Sequence, residues 1–468
     1  MNLAYLLNEN CHCNTLDAPR LQAQLGQSPE LSAFVDGMAT THPHLFSATQ
    51  VFISESTYRA ITTAVTALER VTALATWREH AMLGSAAIAQ QSPGALGVFM
   101  GYDFHVDETP ELAGAAPVRL IEINTNAGGA LLSTALARAQ HLCCNAALRG
   151  LQPATLLAEL DNRIFAMFQN EWRLQRGDAL WRNVVIVDDA PASQFLAPEF
   201  ALFQALFAAR GVSAYVADPA DLVWANQQLS LVRDGQAHTI DMVYNRLTDF
   251  DLSRPAHAAL EQAYASRAAV VTPHPHVHAL KANKRHLASL SDPALLARWG
   301  VAADDLAVLQ RVVPQTRLVD ESDAAELWAQ RRHLFFKPVA GYAGKAAFRG
   351  DKITKKTWEL IQSGGFVAQE LVSPGQRVVA DDDAGETALG GAPDAPKIPL
   401  HPPTRLKFDV RAFVYDGQIQ HLVARVYSGQ TTNMNTPGGG FAPVAVVPDV
   451  RWPDSTDGAS PCSDCLHH

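Results

Sequence analysis

Residues 335–349 read FFKPVAGYAGKAAFR, and this stretch limits what the chain can fold into more than any other. Two aromatics and a valine flank a lysine–proline pair, so an apolar strand is expected to end in Lys337. A loop with Gly341, Gly344 and a second lysine, Lys345, follows. A strand-end ammonium beside a glycine loop suits a triphosphate. The strand fixes the positive charge, and glycines let backbone N–H groups approach phosphate oxygens closely. A strand-end lysine is more often simply solvated, so the reading depends on what surrounds it.

Three further segments supply that context. GGFVAQELV (364–372) is an apolar strand running into Gln369-Glu370-Leu371-Val372, then turning at Ser373-Pro374-Gly375. A hinge of that kind offers backbone groups to a base edge while its apolar residues sandwich the ring. The bland alternative is an ordinary edge strand. LKFDVRAFVYDGQIQHLVARVYSG (406–429) alternates on both sides of Asp416-Gly417 and predicts a β-hairpin. Residues two apart in a strand share a face, which puts Asp409 beside Arg411. Asn433 and Asn435 then precede three glycines.

In this order the segments resemble the nucleotide-binding half of an ATP-grasp ligase. The D-x-R hairpin and its Asn-Gly continuation are similar to those of the glutamate ligases that modify ribosomal protein tails. That superfamily places an E-x-N strand after the hairpin. Here PVAVVPDVRW follows instead, and the E-x-N lies far upstream, in VRLIEINTNAGGALLS (118–133). The circularly permuted order resembles that of eukaryotic-type glutathione synthetases. DMVYNRLTDF (241–250) is similar to their arginine segment that meets the peptide substrate, with Arg246 at the matching position. HALKANKRHLASL (278–290) looks like their lysine-bearing segment, with Lys284 the better match and Lys281 the alternative. The resemblance spans residues 118–445.

The resemblance implies an ATP-grasp α/β fold with a small parallel-sheet substrate domain. It also implies ATP and Mg2+, and amide formation through an acyl phosphate. Glu122, Asn124 and Asp409 would supply oxygens to magnesium, which takes few protein carboxylates per ion. Lys284 and Lys337 would meet the α- and β-phosphates beside Gly341 and Gly344. The hinge Gln369–Val372 would meet the adenine. Arg411 and Arg425 would meet the developing acyl phosphate, because a guanidinium fork matches phosphate oxygens. Arg246, Asn433 and Asn435 would contact substrate. One departure stands out. The synthetases carry an acidic metal ligand four positions after the strand lysine, where this chain has Gly341. The likeness is thus architectural and does not imply glutathione as product.

The 468 residues suffice for two or three lobes with sizeable cores. A formal charge of −10 argues against a nucleic-acid surface, which needs a basic patch. No run of eighteen apolar residues suggests a membrane span. The first residues, MNLAYLLNENCHC, lack the basic start and apolar core of a signal peptide, and with ATP use this points to the cytoplasm. Expected partners are a small-molecule or peptide substrate. Residues 1–180 read as a mostly helical lobe carrying the E-x-N strand. Residues 181–275, with WRNVVIVDD, a helix and VSAYVADP, read as a β-α-β substrate-side domain. Residues 276–451 form the expected nucleotide-binding domain, and 452–468 a polar Cys/His tail.

Cys11 and Cys13 form C-x-C, and Cys462 and Cys465 form C-x-x-C. These are metal-ligand spacings, so the four thiolates would close a zinc site if the termini met. Unrelated spare thiols are the bland reading, and HPHVH (274–278) sits in a proline-broken loop and is left unassigned. The leading expectation is an ATP-dependent carboxylate–amine ligase acting on an amino acid, a peptide or a small amine. The alternatives are phosphotransfer to a non-carboxylate on the same scaffold, or a nucleotide-binding regulatory protein without turnover.

Overall fold

A computed structural model describes residues 2–11, 14–109, 118–140, 154–341, 346–379 and 404–450. In chain order its strands are β1 (Val51–Ser54), β2 (Met100–Val106), β3 (Val118–Asn124), β4 (Asn183–Val187), β5 (Ser213–Ala217), β6 (Leu222–Ala225), β7 (Gln228–Arg233), β8 (Gln236–Thr239) and β9 (Met242–Asn245). There follow β10 (Val270–Thr272), β11 (Thr316–Leu318), β12 (Leu334–Pro338), β13 (Phe348–Arg349), β14 (Phe366–Glu370), β15 (Gly375–Val379), β16 (Thr404–Tyr415), β17 (Gln418–Tyr427) and β18 (Gly440–Val447). They form four sheets. Among the described residues, no helix is long and apolar enough to cross a membrane.

The largest sheet runs β1-β18-β17-β16-β2-β3, with β15 on the first half of β16. The β16–β17 hairpin turns at Asp416-Gly417, where both residues have positive φ, as a two-residue hairpin turn needs. Strict alternation gives this sheet two unlike faces. Tyr102, Phe104, Val410, Ala412 and Val414 enter one core, together with Ile61, Leu68 and Val71 of the Glu55–Ala73 helix. That helix starts where the Ser54 side chain accepts from the Thr57 amide, and it carries Glu55 in its first turn and Arg70 in its last. The opposite face begins with Asp409 and Arg411 and continues as Phe413 and Tyr415, which pack into a second core. The charged end of that face is where the site lies.

The expected first lobe is therefore joined to the expected nucleotide-binding domain by strand pairing. β1 runs parallel to β18, and β2 pairs antiparallel with β16. Buried Arg377 of β15 strengthens the joint. Its guanidinium donates to the carbonyls of Leu7, Asn8 and Gln50.

The small parallel sheet is ordered β10-β9-β4-β5. Both of its faces are covered, with Val184 and Ile186 in one core and Val185 and Val187 in another. β6-β7-β8 form a separate antiparallel sheet. The fourth sheet, β11-β14-β12-β13, is antiparallel and packs Phe336 and Ala368 against the Lys355–Gln362 helix through Trp358 and Ile361.

Candidate functional site

The charged end of the large sheet collects side chains from four strands. Glu122 on β3 stands opposite Asp103 on β2, and Asp103 stands opposite Arg411 on β16. Arg425 on β17 is the cross-strand partner of Asp409. Directly opposite residues share a face, so one row carries three carboxylates and two guanidiniums.

Asp103 is the hub of the row and is 0% exposed. Arg411 grips it with two bonds, Nε to Oδ1 at 2.7 Å and Nη2 to Oδ2 at 2.8 Å. Arg425 Nη2 reaches the same Oδ2 at 2.8 Å and its Nε reaches Asp409 Oδ1 at 2.7 Å. Burial opposes ionisation of Asp103, but the two guanidiniums outweigh it and hold the carboxyl below its ordinary value. Burial wins at Asp409, whose carboxyl is raised despite Arg425. Thr432 Oγ1 donates to Asp409 Oδ2 at 2.6 Å. Both Asp409 oxygens are thus engaged within the protein. Among the described residues, no group of three His, Cys, Asp or Glu side chains is arranged to hold a metal.

Glu122 and Asn124 are better placed for a cation. Asn124 Nδ2 donates to Glu122 Oε1 at 3.1 Å and to Asp103 Oδ2 at 3.0 Å. Ionised carboxylates only accept, so the amide must turn its nitrogen to them, which commits neither of them to Asn124 Oδ1. Burial disfavours charge on Glu122. Lys284 and Lys337 more than compensate and hold it well below the usual carboxylate range. Magnesium takes one or two protein oxygens and fills its remaining positions with phosphate and water. The Glu122–Asn124 pair fits that demand, with a carboxylate and an amide oxygen.

Both lysines arrive from outside the large sheet. Lys337 ends β12, and its Nζ donates to the Ile121 carbonyl and to Gln369 Oε1, each at 2.9 Å. Burial, with Lys284 alongside, lowers it to about 8 although Glu122 pulls the other way. Gln369 Nε2, on the amide that holds Lys337, is buried with no hydrogen-bond partner. A polyanion carrying acceptor atoms would satisfy that donor. Lys284 follows a π-helical turn at His278–Ala282. Its Nζ lies 3.5 Å from Glu122 Oε2 and donates to the Gly341 carbonyl at 2.5 Å. Lys281 instead pairs with Glu69 at 2.6 Å, so of the two candidate lysines Lys284 is the one in the cluster.

The hinge is already partly engaged. The Leu371 amide donates to the His333 carbonyl at 2.8 Å, and the Val372 carbonyl accepts from His105 Nδ1 at 3.0 Å. Glu370 pairs with Arg119 at 2.7 Å. Burial, with Lys337 nearby, drops His105 to about 3, so the ring is neutral.

Arg246 meets the E-x-N strand through the loop that follows it. Its Nη1 donates to the Asn126 carbonyl at 3.0 Å, and its Nε is buried without a partner. A Cβ on Gly128 would come within 2.4 Å of Arg246 Nη2. One on Gly129, at φ +97°, would come within 2.3 Å of the Phe441 ring, so both glycines are required. The Gly129 and Leu131 amides donate to Glu199 at 2.8 and 3.0 Å. Burial pushes Asp188 up to about 6, against the pull of Arg246.

Asn433 and Asn435 are exposed, and Asn433 Oδ1 accepts from the Asn435 amide at 3.0 Å. The structure keeps them in a local turn and brings Thr432 to the cluster in their place. Of the four cysteines with metal-ligand spacing, only Cys11 lies among the described residues, where it is buried. Cys13, Cys462 and Cys465 lie outside them, as do Gly344 and Lys345, and nothing in the described residues supports zinc. Asp103, Asp188 and Thr432 are the site residues that sequence reasoning missed. For Asp103 a partial signal existed: an acid on the polar face of the alternating strand GYDFHV, which leads into the E-x-N strand.

No family model and no curated protein sequence matches the chain. Solved structures do. A glutathione synthetase-like effector from Globodera pallida, in its apo form, aligns over 91% of this chain and 97% of its own at 11% identity, with a TM-score of 0.51. A gamma-glutamylcysteine synthetase-like protein from Methylobacillus flagellatus aligns over 88% and 93% at 10% identity and a TM-score of 0.44. D-cycloserine synthetase aligns over 61% and 98% at 16% identity, with a TM-score of 0.28. The chain has an ATP-grasp-like fold.

Proposed function

We propose, on the premise of that ATP-grasp-like fold, that the chain is an ATP- and Mg2+-dependent carboxylate–amine ligase. The observation that carries this reading is the convergence of Lys284, Lys337, Glu122 and Asn124 beside the Arg411–Arg425 pair. Joining a carboxylate to an amine in water requires an activated acyl group. A carboxylate oxygen attacks the γ-phosphorus of ATP, the bridging P–O bond breaks and ADP leaves. The amine nitrogen then attacks the acyl carbon, the C–O bond to phosphate breaks, and a proton passes to solvent.

This work is mostly charge neutralisation and alignment. Lys284 and Lys337 neutralise phosphate charge from two sides. Gln369 fixes the Lys337 ammonium and offers its free Nε2. Glu122 and Asn124 would hold magnesium, which would screen the phosphates as a Lewis acid. Arg411 and Arg425 lie side by side and present guanidinium N–H groups to charge developing on the transferred phosphoryl group. Arg246, with its unpartnered Nε, would bind a substrate carboxylate. The E-x-N strand, which precedes the lysine strand in the chain, would play the part that follows the hairpin in unpermuted ligases. The amine and the carboxylate are left general: an amino acid, a peptide or a small amine.

A screen of amino acids and amines for stimulated ATP hydrolysis, with mass spectrometry of products, tests the proposal. Free phosphate released in step with amide is the expected result. A phosphorylated product without free phosphate would mean phosphotransfer. ATP binding with no turnover on any substrate pair would mean a regulatory protein.

A further inference from the structure

We propose that Asp103 is the positioning residue of this site, setting the amide orientation of Asn124 and holding Arg411 and Arg425 side by side. The chemistry it serves rests on the ligase reading above; the geometry does not. Asp103 receives four donors on its two oxygens: Arg411 Nε on Oδ1, and Arg411 Nη2, Arg425 Nη2 and Asn124 Nδ2 on Oδ2. Oδ2 is filled, and the one position left on Oδ1 belongs to a side chain that is 0% exposed, out of reach of a metal or substrate. Its work must therefore pass through its partners.

Two things follow from that arrangement. First, Asn124 has two possible amide orientations. Asp103 lies one strand away from it and Glu122 two residues away, and both accept from Nδ2. Glu122 is the charged member of the cation pair and would be drawn towards a bound cation. Asp103 is held in place by two arginines and would not be. Asp103 is thus the partner that keeps Nδ2 turned inward, and Oδ1 available, when the site is loaded. Second, Arg411 and Arg425 are like charges brought to one carboxylate. Without Asp103 they repel, and only Asp409 would restrain Arg425.

A Mn2+ titration by electron paramagnetic resonance, with a non-hydrolysable ATP analogue present, tests this on the full chain. The proteins are wild type, Asp103→Asn, Asn124→Ala and the double variant. In Asp103→Asn one carboxylate oxygen becomes an NH2 group, which confronts donors and leaves Asn124 only its contact with Glu122, the residue a bound cation draws away. Mn2+ affinity should fall at least about tenfold, the usual effect of removing a partner that orients a metal ligand. Affinity for the analogue without metal should change less than about threefold. Asn124→Ala should cost little further in the Asp103→Asn background, because its contribution is already lost. A merely structural role would lower thermal stability without that non-additivity.

Mn2+ affinity within about threefold of wild type in folded Asp103→Asn, or full additivity of the two losses, overturns the proposal. Should Asp103→Asn fail to fold, Asp103→Asn with Arg411→Gln restores the charge balance, and the same titration and limits apply. A wild type that binds Mn2+ but turns over no amine would remove the ligase reading, and the Mn2+ comparison would still decide the role of Asp103. A wild type that binds no Mn2+ overturns the proposal outright.

Discussion

Asp103 and Glu122 are direct cross-strand neighbours on β2 and β3, two carboxylates facing the same way, Asp103 fully buried and Glu122 partly exposed. Like charges so placed repel, and four cations offset them: Lys284 and Lys337 around Glu122, Arg411 and Arg425 around Asp103. The two arginines come from strands of the same sheet. The two lysines arrive from other parts of the chain, after the π-helical turn and at the end of β12.

Glu122→Gln keeps the size and removes the charge. ATP-driven turnover should fall at least about a hundredfold, the scale of losing a transition-state electrostatic contact, while the circular dichroism spectrum is retained. A folded variant with near-normal Mg2+-dependent ATP consumption would remove Glu122 from the metal pair.

Lys337→Met should weaken ATP binding by about 1–3 kcal/mol, the worth of a charge-assisted contact, as read by titration calorimetry. The same residue predicts a pH dependence. Its folded value is about 8 against an ordinary 10.5. Phosphate binding needs the ammonium, so ATP affinity should fall as pH rises through about 8, and Lys337→Met should lack this step. Stability moves the other way. Between about pH 8 and 10.5 the unfolded chain holds more of this proton, so the group's contribution to folding stability rises with pH. Equal pH profiles for the two proteins would contradict the assignment.

Lys281 and Lys284 are three residues apart and have separate partners. Lys284→Met should weaken ATP binding, whereas Lys281→Met should leave it unchanged and cost only stability through Glu69. Calorimetry and thermal melts on both variants check this. An ATP-binding defect in Lys281→Met alone would reverse the assignment.

Gly101 lies under the Arg411 side chain. A Cβ there would sit 2.8 Å from Ala127 Cβ and 3.2 Å from Arg411 Nε. Gly101→Ala should therefore displace Arg411, lowering turnover about tenfold to a hundredfold, with an overpacking cost of about 1–3 kcal/mol. Unchanged kcat and Tm would show that Arg411 has room to move.

Much of this site was legible because its residues lie in segments with period-two alternation or a glycine turn. Glu122-Ile-Asn124 and Asp409-Val-Arg411 each declare a shared face, and Asp416-Gly417 declares its hairpin. What alternation cannot state is which strand lies beside which. Asp409 was expected to join Glu122 at magnesium, yet β2 inserts between β3 and β16 and puts Asp103 next to Glu122, while Arg425 and Thr432 take up the Asp409 oxygens. Asn433 and Asn435 were expected to contact substrate from the resemblance of their N-x-N segment, but their spacing equally suits the local turn they form. The mostly helical reading of the first lobe missed β1, because four residues are too few to show a period.

The pairing of β1 with β18, and of β2 with β16, has a consequence for synthesis. Residues 51–54 find their strand partner only at 444–447, and β2, which pairs early with β3, finds its second neighbour only at 410–414. As the chain grows, the carboxylate row is left for several hundred residues without its guanidiniums, and the apolar edges of these strands lack neighbours. Such distant pairing makes folding slow and exposes sticky intermediates. Nascent chains cut short before the hairpin should therefore accumulate in association with chaperones or as aggregates, rather than as a folded first lobe.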